Sequence, residues 1–325
     1  MSYKLSVIIP IYKVEQYIKK CADSLFSQSL DEVEYIFVDD CSPDDSIARL
    51  QSVLEKYPKR INDVKILRHN KNRGLAATRN TGFFSATGIY VIFCDSDDWV
   101  DKNMYETMYN TAIEKNSDMV VCDYVSEYSK RKKCYSQYFD VTPGVFLRDL
   151  LCGRLHNGLW NKLIKKELFD KLNFFWTEGI NMWEDVSVVP RVSFYAQKID
   201  YIPKAFYHYN QMNVNAYTQV WSKASVDNVF AVVGIIDSFF QSHSEEQAIN
   251  LIYFKLNAKN LLLQNIPFES FKRIKEEFPE ANSMVFNHPS LSWFHKINLW
   301  CCFHHLSFIS FMITRCINTI KRIIR

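Results

Sequence analysis

The sequence predicts an α/β fold: a mainly parallel, Rossmann-type sheet flanked by helices, followed by a helical C-terminal region. Three observations predict it. Short apolar runs alternate with helix-period segments over the first part of the chain, acids gather where two of those runs end, and strand-like runs stop near residue 220. In order, LSVIIPIY (Leu5 to Tyr12), EYIFVDD (Glu34 to Asp40), VKILRHN (Val64 to Asn70), YVIFCDSDD (Tyr90 to Asp98) and DMVVCDYV (Asp118 to Val125) read as strands. Between the first two, Val14, Tyr17, Ile18, Cys21 and Leu25 recur at helical spacing, with Lys19, Lys20, Asp23 and Ser24 on the other face. Ser42 with Asp45 three residues on resembles a helix start, with Asp in place of the Glu or Gln of a capping box. SKRKKCYSQYFDVTPG after Tyr128 reads as a loop, LWNKLIKKELFDKLN as a short helix, and IDYIPKAFYHY as a late strand. The domain reading is 1–217, with a nucleotide-side part to about 128 and an acceptor-side part from 129 to 217, then a helical region, 218–325.

Composition bounds the function. The chain has 325 residues, 48% hydrophobic and 15% aromatic, enough for a large core. A net charge of +3 excludes bulk nucleic-acid binding. Nine cysteines without CxxC pairs point to a reduced, intracellular setting rather than a disulfide scaffold. MSYKLSVIIPIYK reads as a strand rather than a signal peptide, and no segment reaches the roughly 20 clean apolar residues of a spanning helix. The expectation is a cytoplasmic protein.

The acids carry the chemistry. In open α/β sheets ligands bind beyond the carboxyl ends of the strands, and there the chain places Asp39 and Asp40, then Asp95, Asp97 and Asp98. Hard oxygen ligands at alternate positions suit Mg2+ or Mn2+, which take carboxylates together with substrate phosphates. A departing diphosphate needs such a cation to offset its charge. The competing reading of D-S-D-D is a solvated turn, or a cap for a helix starting near Asp101.

SVIIPIYKVEQYIKKCADSLFSQ, EYIFVDDCSPDDS and NRGLAATRNTGFFSATGIYVIFCDSDDW together resemble the bacterial family 2 glycosyltransferases of the GT-A fold, densely over Lys4 to Trp99 and more thinly to about Tyr209. The resemblance implies a nucleotide pocket lined by Pro10, Ile11 and Tyr12, with Asp40 accepting from the base, a uracil, and Asp39 supporting the turn. It implies that Asn72, Gly74, Arg79 and Asn80 close over the nucleotide, that Asp95 and Asp97 meet the ribose and the metal, and that Asp98 lies toward the donor sugar or the metal shell. NMWEDVSVVPRV resembles the family's E-D motif, which makes Asp185 the catalytic base, oriented by Glu184. An acceptor hydroxyl is a poor nucleophile, and a carboxylate opposite the departing diphosphate can take its proton; direct displacement then inverts the anomeric centre. The alternative for Asp185 is a helix cap. Trp160, Asn161, Lys162 and Trp183 are candidate acceptor contacts, against a core role, and His208 is a candidate for completing the metal shell, against simple packing.

The tail, about 291–325, is apolar and then basic, with no acid after Glu280. Wound as a helix from Leu306, it puts Ile309, Met312, Ile313, Cys316, Ile320, Ile323 and Ile324 on one face. Thr314, Arg315, Asn318, Lys321, Arg322 and Arg325 fall mostly on the other. That pattern suits an interfacial helix or one packed on the catalytic domain. The function expected is an inverting, metal-dependent transfer of a sugar, of hexosyl or N-acetylhexosaminyl type, from a UDP-sugar. The acceptor would be a saccharide or lipid-linked glycan at the inner face of the cytoplasmic membrane, in capsule, O-antigen or exopolysaccharide assembly. The alternatives are a non-catalytic sugar-nucleotide or glycan-binding protein, and a nucleotidyltransferase, for which PIYKVEQY lacks the Gly-rich, basic phosphate loop.

Overall fold

The structure, a computed structural model, describes residues 3–172, 176–213, 216–217, 221–265, 268 and 271–324. It divides into two units, one made of 1–146 with 157–214 and one made of 147–156 with 215–325.

The strands of the first unit are β1 (Leu5–Ile11), β2 (Val33–Asp39), β3 (Val64–Arg68), β4 (Tyr90–Phe93), β5 (Trp99–Val100), β6 (Met119–Glu127), β7 (Lys132–Tyr135), β8 (Lys162–Lys165) and β9 (Ile199–Asn210). They form one sheet in the order β3-β2-β1-β4-β8-β6-β9-β5, with β7 paired to β6. The first four are parallel neighbours, and β1 and β2 are buried along their whole length. Continuous apolar strands are what a parallel sheet covered on both faces requires. Ile11 stands opposite Asp39, and Ile8 opposite Phe93, so the ends of β2 and β4 flank the end of β1 at one edge.

The rest of the sheet is mixed. β8 runs antiparallel to β4 and β6, β9 parallel to β6, and β5 antiparallel to β9. This corrects the helix expected over LWNKLIKKELFDKLN: Lys162–Lys165 is a strand, and only Lys166–Lys171 winds, as a 3-10 turn. Both β4 and β6 have a backbone edge to satisfy there, and that demand overrides local pattern. The expected basic loop contains β7, an exposed hairpin partner of β6.

Helices α1 (Ile18–Phe26), α2 (Ser46–Leu54), α3 (Leu75–Ser85), α4 (Met104–Lys115), α5 (Pro143–Leu151) and α6 (Glu184–Tyr195) follow. α1 buries Ile18, Cys21, Ala22, Leu25 and Phe26 in the core that holds Val7, Ile9, Tyr35 and Phe37. α2 begins at Ser46 rather than at Ser42. Asp44 Oδ1 accepts from Ser46 N (3.2 Å), while the Ser42 hydroxyl donates to the same carboxylate (2.6 Å).

The second unit is helical, with α7 (Lys223–His243), α8 (Ala248–Asn265), α9 (Phe271–Glu276), α10 (Trp293–Phe303) and α11 (Ser307–Ile324). By length and composition α7 is apolar enough to cross a membrane, with a mean hydropathy of 1.2, contrary to the sequence expectation. It is explained as a core helix. Val229, Val232, Val233, Ile236 and Phe240 are buried, and Lys255 of α8 lies 2.9 Å from Asp237 on its flank.

Candidate active site

The end of β1 and the end of β2 are tied together by Asp40 N, which donates to Ile11 O (3.0 Å). Pro10 and Ile11 are buried there and Tyr12 is exposed, with the Lys13 ammonium 5.1 Å from its ring. Asp39 Oδ1 accepts from Ser42 N (2.7 Å). Its Oδ2 is buried without a hydrogen bond, although the exposed Arg68 brings Nε to 3.1 Å. Asp40 is occupied differently. Its carboxylate accepts from Arg73 N and Gly74 N, both at 2.8 Å, and His69 Nδ1 lies 2.6 Å away. A negative charge at those two amides satisfies donors at the start of α3. Asn72 is exposed in the same turn.

Gly74 has φ +86°, and a Cβ there would come within 2.4 Å of the Asn181 side chain, so both conformation and space require glycine. Asn181 Oδ1 in turn accepts from Ala76 N (3.1 Å). Arg73 pairs with Glu178, and Asn80 grips the Trp176 backbone through both its amide atoms (2.7 and 3.2 Å). These ties bring the segment before α6 onto α3. Trp183, half-buried, takes φ +65° immediately before Glu184, a conformation that costs a bulky residue free energy and clusters at functional sites.

At the junction lies Arg79, completely buried. One guanidinium nitrogen contacts both Glu184 and Asp185, and the other reaches Asp95 Oδ1 at 3.1 Å. Burial works against the charge of Arg79, but Asp185, Glu184 and Asp95 outweigh it and hold the guanidinium well above its ordinary value. The carboxylates are in excess. Burial pushes Glu184 up, partly offset by Arg79 and reinforced by Asp185. Burial also raises Asp185, against Arg79 and a backbone donor at Leu159, with Asp95 adding to the rise.

The turn after β4 splits its three acids. Asp95 faces Arg79, and its amide donates to the Tyr207 hydroxyl (3.1 Å). Asp97 Oδ2 accepts from Asn213 Nδ2 (2.7 Å), and burial together with the Asp95 charge pushes it up to about 6. Asp98 is buried and fully engaged, accepting from the Tyr207 hydroxyl (2.5 Å) and Asn210 N (2.7 Å). It serves the turn, so the expectation that it faces the donor sugar or metal is corrected. Tyr207, Asn210, Asn213 and Asn181 were not found by sequence reasoning, although Tyr207 and Asn210 lie in the run where His208 was singled out.

Four further expectations change. Trp160 is buried and stacked on Tyr207 at 4.4 Å, with Tyr124 at 4.8 Å, so it is core rather than an acceptor platform. Asn161 is buried and anchors the loop to Cys122 O (2.8 Å). Lys162, also buried, donates to Gly158 O (2.7 Å) and Asn161 Oδ1 (2.8 Å), and burial lowers it to about 7 with Asp185 opposing the shift. Neither can meet an acceptor directly. His208 stacks on Trp99 at 5.3 Å, with Glu127 Oε1 at 2.8 Å and Asp101 Oδ1 at 3.1 Å from its two nitrogens, so both nitrogens face carboxylates of the protein.

Among the described residues no group of three or more His, Cys, Asp or Glu side chains forms a ready metal cage. The acids nevertheless fit a divalent cation of the kind that uses one or two carboxylates plus substrate phosphates. Asp95 and Asp97 each engage only one oxygen in the hydrogen bonds described above, and Asp97, raised first by burial and then by the Asp95 charge, shares this turn with a surplus of negative charge. Such a surplus favours a cation and the anion it carries.

Residues 6–179 match the family described as glycosyl transferase family 2. The chain is 29% identical over 248 residues to the putative glycosyltransferase EpsH of Bacillus subtilis (strain 168), covering 74% of this chain and 70% of that one. Among solved structures it is similar to S. aureus TarS, with TM-score 0.68 and 19% identity, over 95% of this chain and 54% of the TarS chain. TarS 1–349 in complex with UDP-GlcNAc gives TM-score 0.65 at 19% identity, over 97% and 92% of the two chains. The mannosyltransferase PcManGT from Pyrobaculum calidifontis, in complex with GDP-Man and Mn2+, gives 0.54 at 14% identity, over 97% and 85%. At these identities the structural likeness concerns the fold, which is GT-A.

Proposed function

The chain belongs to glycosyl transferase family 2, and from that premise we propose an inverting transfer of a sugar from a UDP-sugar to a saccharide or lipid-linked glycan. The UDP-GlcNAc complex of TarS supports the choice of donor, and the setting in this reading is surface-polysaccharide assembly at the inner face of the cytoplasmic membrane. The observation that carries the mechanism is the Arg79 cluster. It holds the carboxylate of Asp185 beside Asp95, next to the turn where a donor diphosphate would be neutralised.

In this reading the uracil imide N–H donates to Asp39 rather than Asp40. The buried Oδ2 of Asp39 has no hydrogen bond, whereas Asp40 holds the turn before α3. Asp95 and Asp97 would hold Mg2+ or Mn2+, which supplies positive charge to the departing diphosphate. Asp185, raised toward neutrality by burial, takes the acceptor hydroxyl proton as the oxygen attacks the anomeric carbon. The new C–O bond forms as the old one breaks, UDP leaves with its electron pair, and the configuration inverts. Arg79 keeps Asp185 oriented, and Glu184 shares that guanidinium.

The test is UDP release across a panel of UDP-sugars with Mn2+ and with chelator. Asp185→Asn should lower kcat by about 10²- to 10⁴-fold and leave UDP binding by calorimetry intact. Full turnover in that variant would sink the assignment of the base.

A further inference from the structure

Helices α10 and α11 meet through polar side chains. Asn298 Nδ2 donates to Thr314 Oγ1 (3.0 Å), and Ser310 Oγ donates to Asn298 Oδ1 (2.7 Å). All three side chains are buried, with Asn298 and Ser310 at 0% exposure. On the opposite side of α11, Phe308 is 67% exposed, Ile309 47% and Met312 48%. At about 100° per residue those three positions share one face, turned away from Ser310 and Thr314. A helix packed on a water-facing protein does the reverse, burying its apolar stripe and exposing its hydroxyls.

The inversion has a physical resolution. Helices surrounded by hydrocarbon pair through small and hydroxyl-bearing residues and give their apolar side chains to lipid. Among the described residues the apolar stretch of α11 runs from Ser307 to Cys316, and an amphipathic helix of this kind can lie in the interfacial layer. Charge selects the lipid. After Glu280 the chain has no Asp or Glu, while Lys296, Arg315, Lys321, Arg322 and Arg325 are cationic, and a basic segment of this kind is drawn to anionic headgroups. Thr314, expected on the solvent side, is on the buried seam, and Ile309, Met312 and Cys316 are exposed. The side chains of Asn318, Ile320, Lys321, Arg322, Ile323, Ile324 and Arg325 lie outside the described residues.

We propose that the outward face of α11, centred on Phe308, Ile309 and Met312, docks into the interfacial layer of an anionic lipid bilayer. The inference stands on the helical unit alone, so it and the sugar-transfer reading fail separately. The experiment is flotation of the full chain with phosphatidylcholine vesicles, with and without phosphatidylglycerol, beside light scattering in free solution. The wild type should float with the anionic vesicles and less so at high salt. Phe308→Ser, Ile309→Ser and Met312→Ser together should cut that binding at least about tenfold with an unchanged circular dichroism spectrum. In Phe308→Trp, emission should shift to the blue on vesicle addition and be quenched by brominated acyl chains. Equal flotation of wild type and triple variant, or no flotation of either, would overturn the proposal. So would a wild-type dimer that the triple variant converts to monomer without any vesicle binding, because the face would then belong to a second copy.

Discussion

Neighbouring aspartates at one sheet edge are held in two different ways. Asp40 and Asp98 are satisfied within the protein, by the amides of Arg73 and Gly74 in one case and by Tyr207 and the Asn210 amide in the other. Asp95 and Asp185 share a guanidinium with Glu184, and among the described residues Asp97 has the Asn213 amide as its side-chain hydrogen-bond partner. A carboxylate saturated by N–H and O–H donors builds the turn and gains little from a ligand. A crowded carboxylate short of positive charge gains from any cation that arrives. On the proposed reading, architecture and chemistry fall to adjacent residues of one type in Asp97-Asp98 and Asp39-Asp40 alike.

The largest effect should come from removing the shared cation. Arg79→Met leaves the buried Glu184 and the half-buried Asp95 and Asp185 without it, and unfolding in urea should show a loss of about 3–5 kcal/mol together with abolished turnover. Stability within about 1 kcal/mol of wild type would mean the cluster is hydrated rather than buried. Next comes Asp98→Ala, which strands the Tyr207 hydroxyl and the Asn210 amide at about 1–3 kcal/mol each. Its kcat per folded molecule should stay near wild type, and a stable but inactive Asp98→Ala would erase the distinction between the two kinds of aspartate.

Asp97 sharpens the comparison through pH. Its folded value of about 6 lies above the ordinary 3.8, so the stability it contributes is full below pH 4 and is lost as pH rises through 6. Asp97→Asn should therefore raise the unfolding free energy at pH 8 by an amount on the order of 1 kcal/mol, read as a higher thermal midpoint. Mn2+ with UDP should stabilise the wild type at that pH and the variant much less. The smallest effect belongs to His208→Gln, which disturbs the Trp99 stack and the Glu127 and Asp101 contacts at a cost of about 1 kcal/mol. The Mn2+ dependence of turnover should survive it, and a lost metal response would return His208 to the metal shell.

Much of the first half of the sheet was legible because short continuous apolar runs such as VIIPI and YIFV suit strands covered on both faces, and YIFV ends in acids. The second half was not. Lys162–Lys165 carries no strand signature of its own and becomes β8 because β4 and β6 both present backbone to be paired. Trp160 and Lys162 were candidate acceptor contacts against a core role, and both are buried. For His208, the family resemblance suggested a metal, against simple packing, while its pairing opposite Trp99 directs the ring to Glu127 and Asp101. Asn181 carried no signal, since its role exists only where Gly74 lies against it.

By itself the sequence determined that an α/β sheet carries two sets of acids at one edge, and that the chain ends apolar and basic. Those follow from periodicity and charge order, which are local properties. Only the tertiary structure decided which acid of each set is engaged internally, that Arg79 joins residues 95, 184 and 185, and that α11 turns its hydroxyls inward. Each of those depends on which donors and cations the folded chain brings within about 3 Å of a side chain, and no local pattern encodes that proximity.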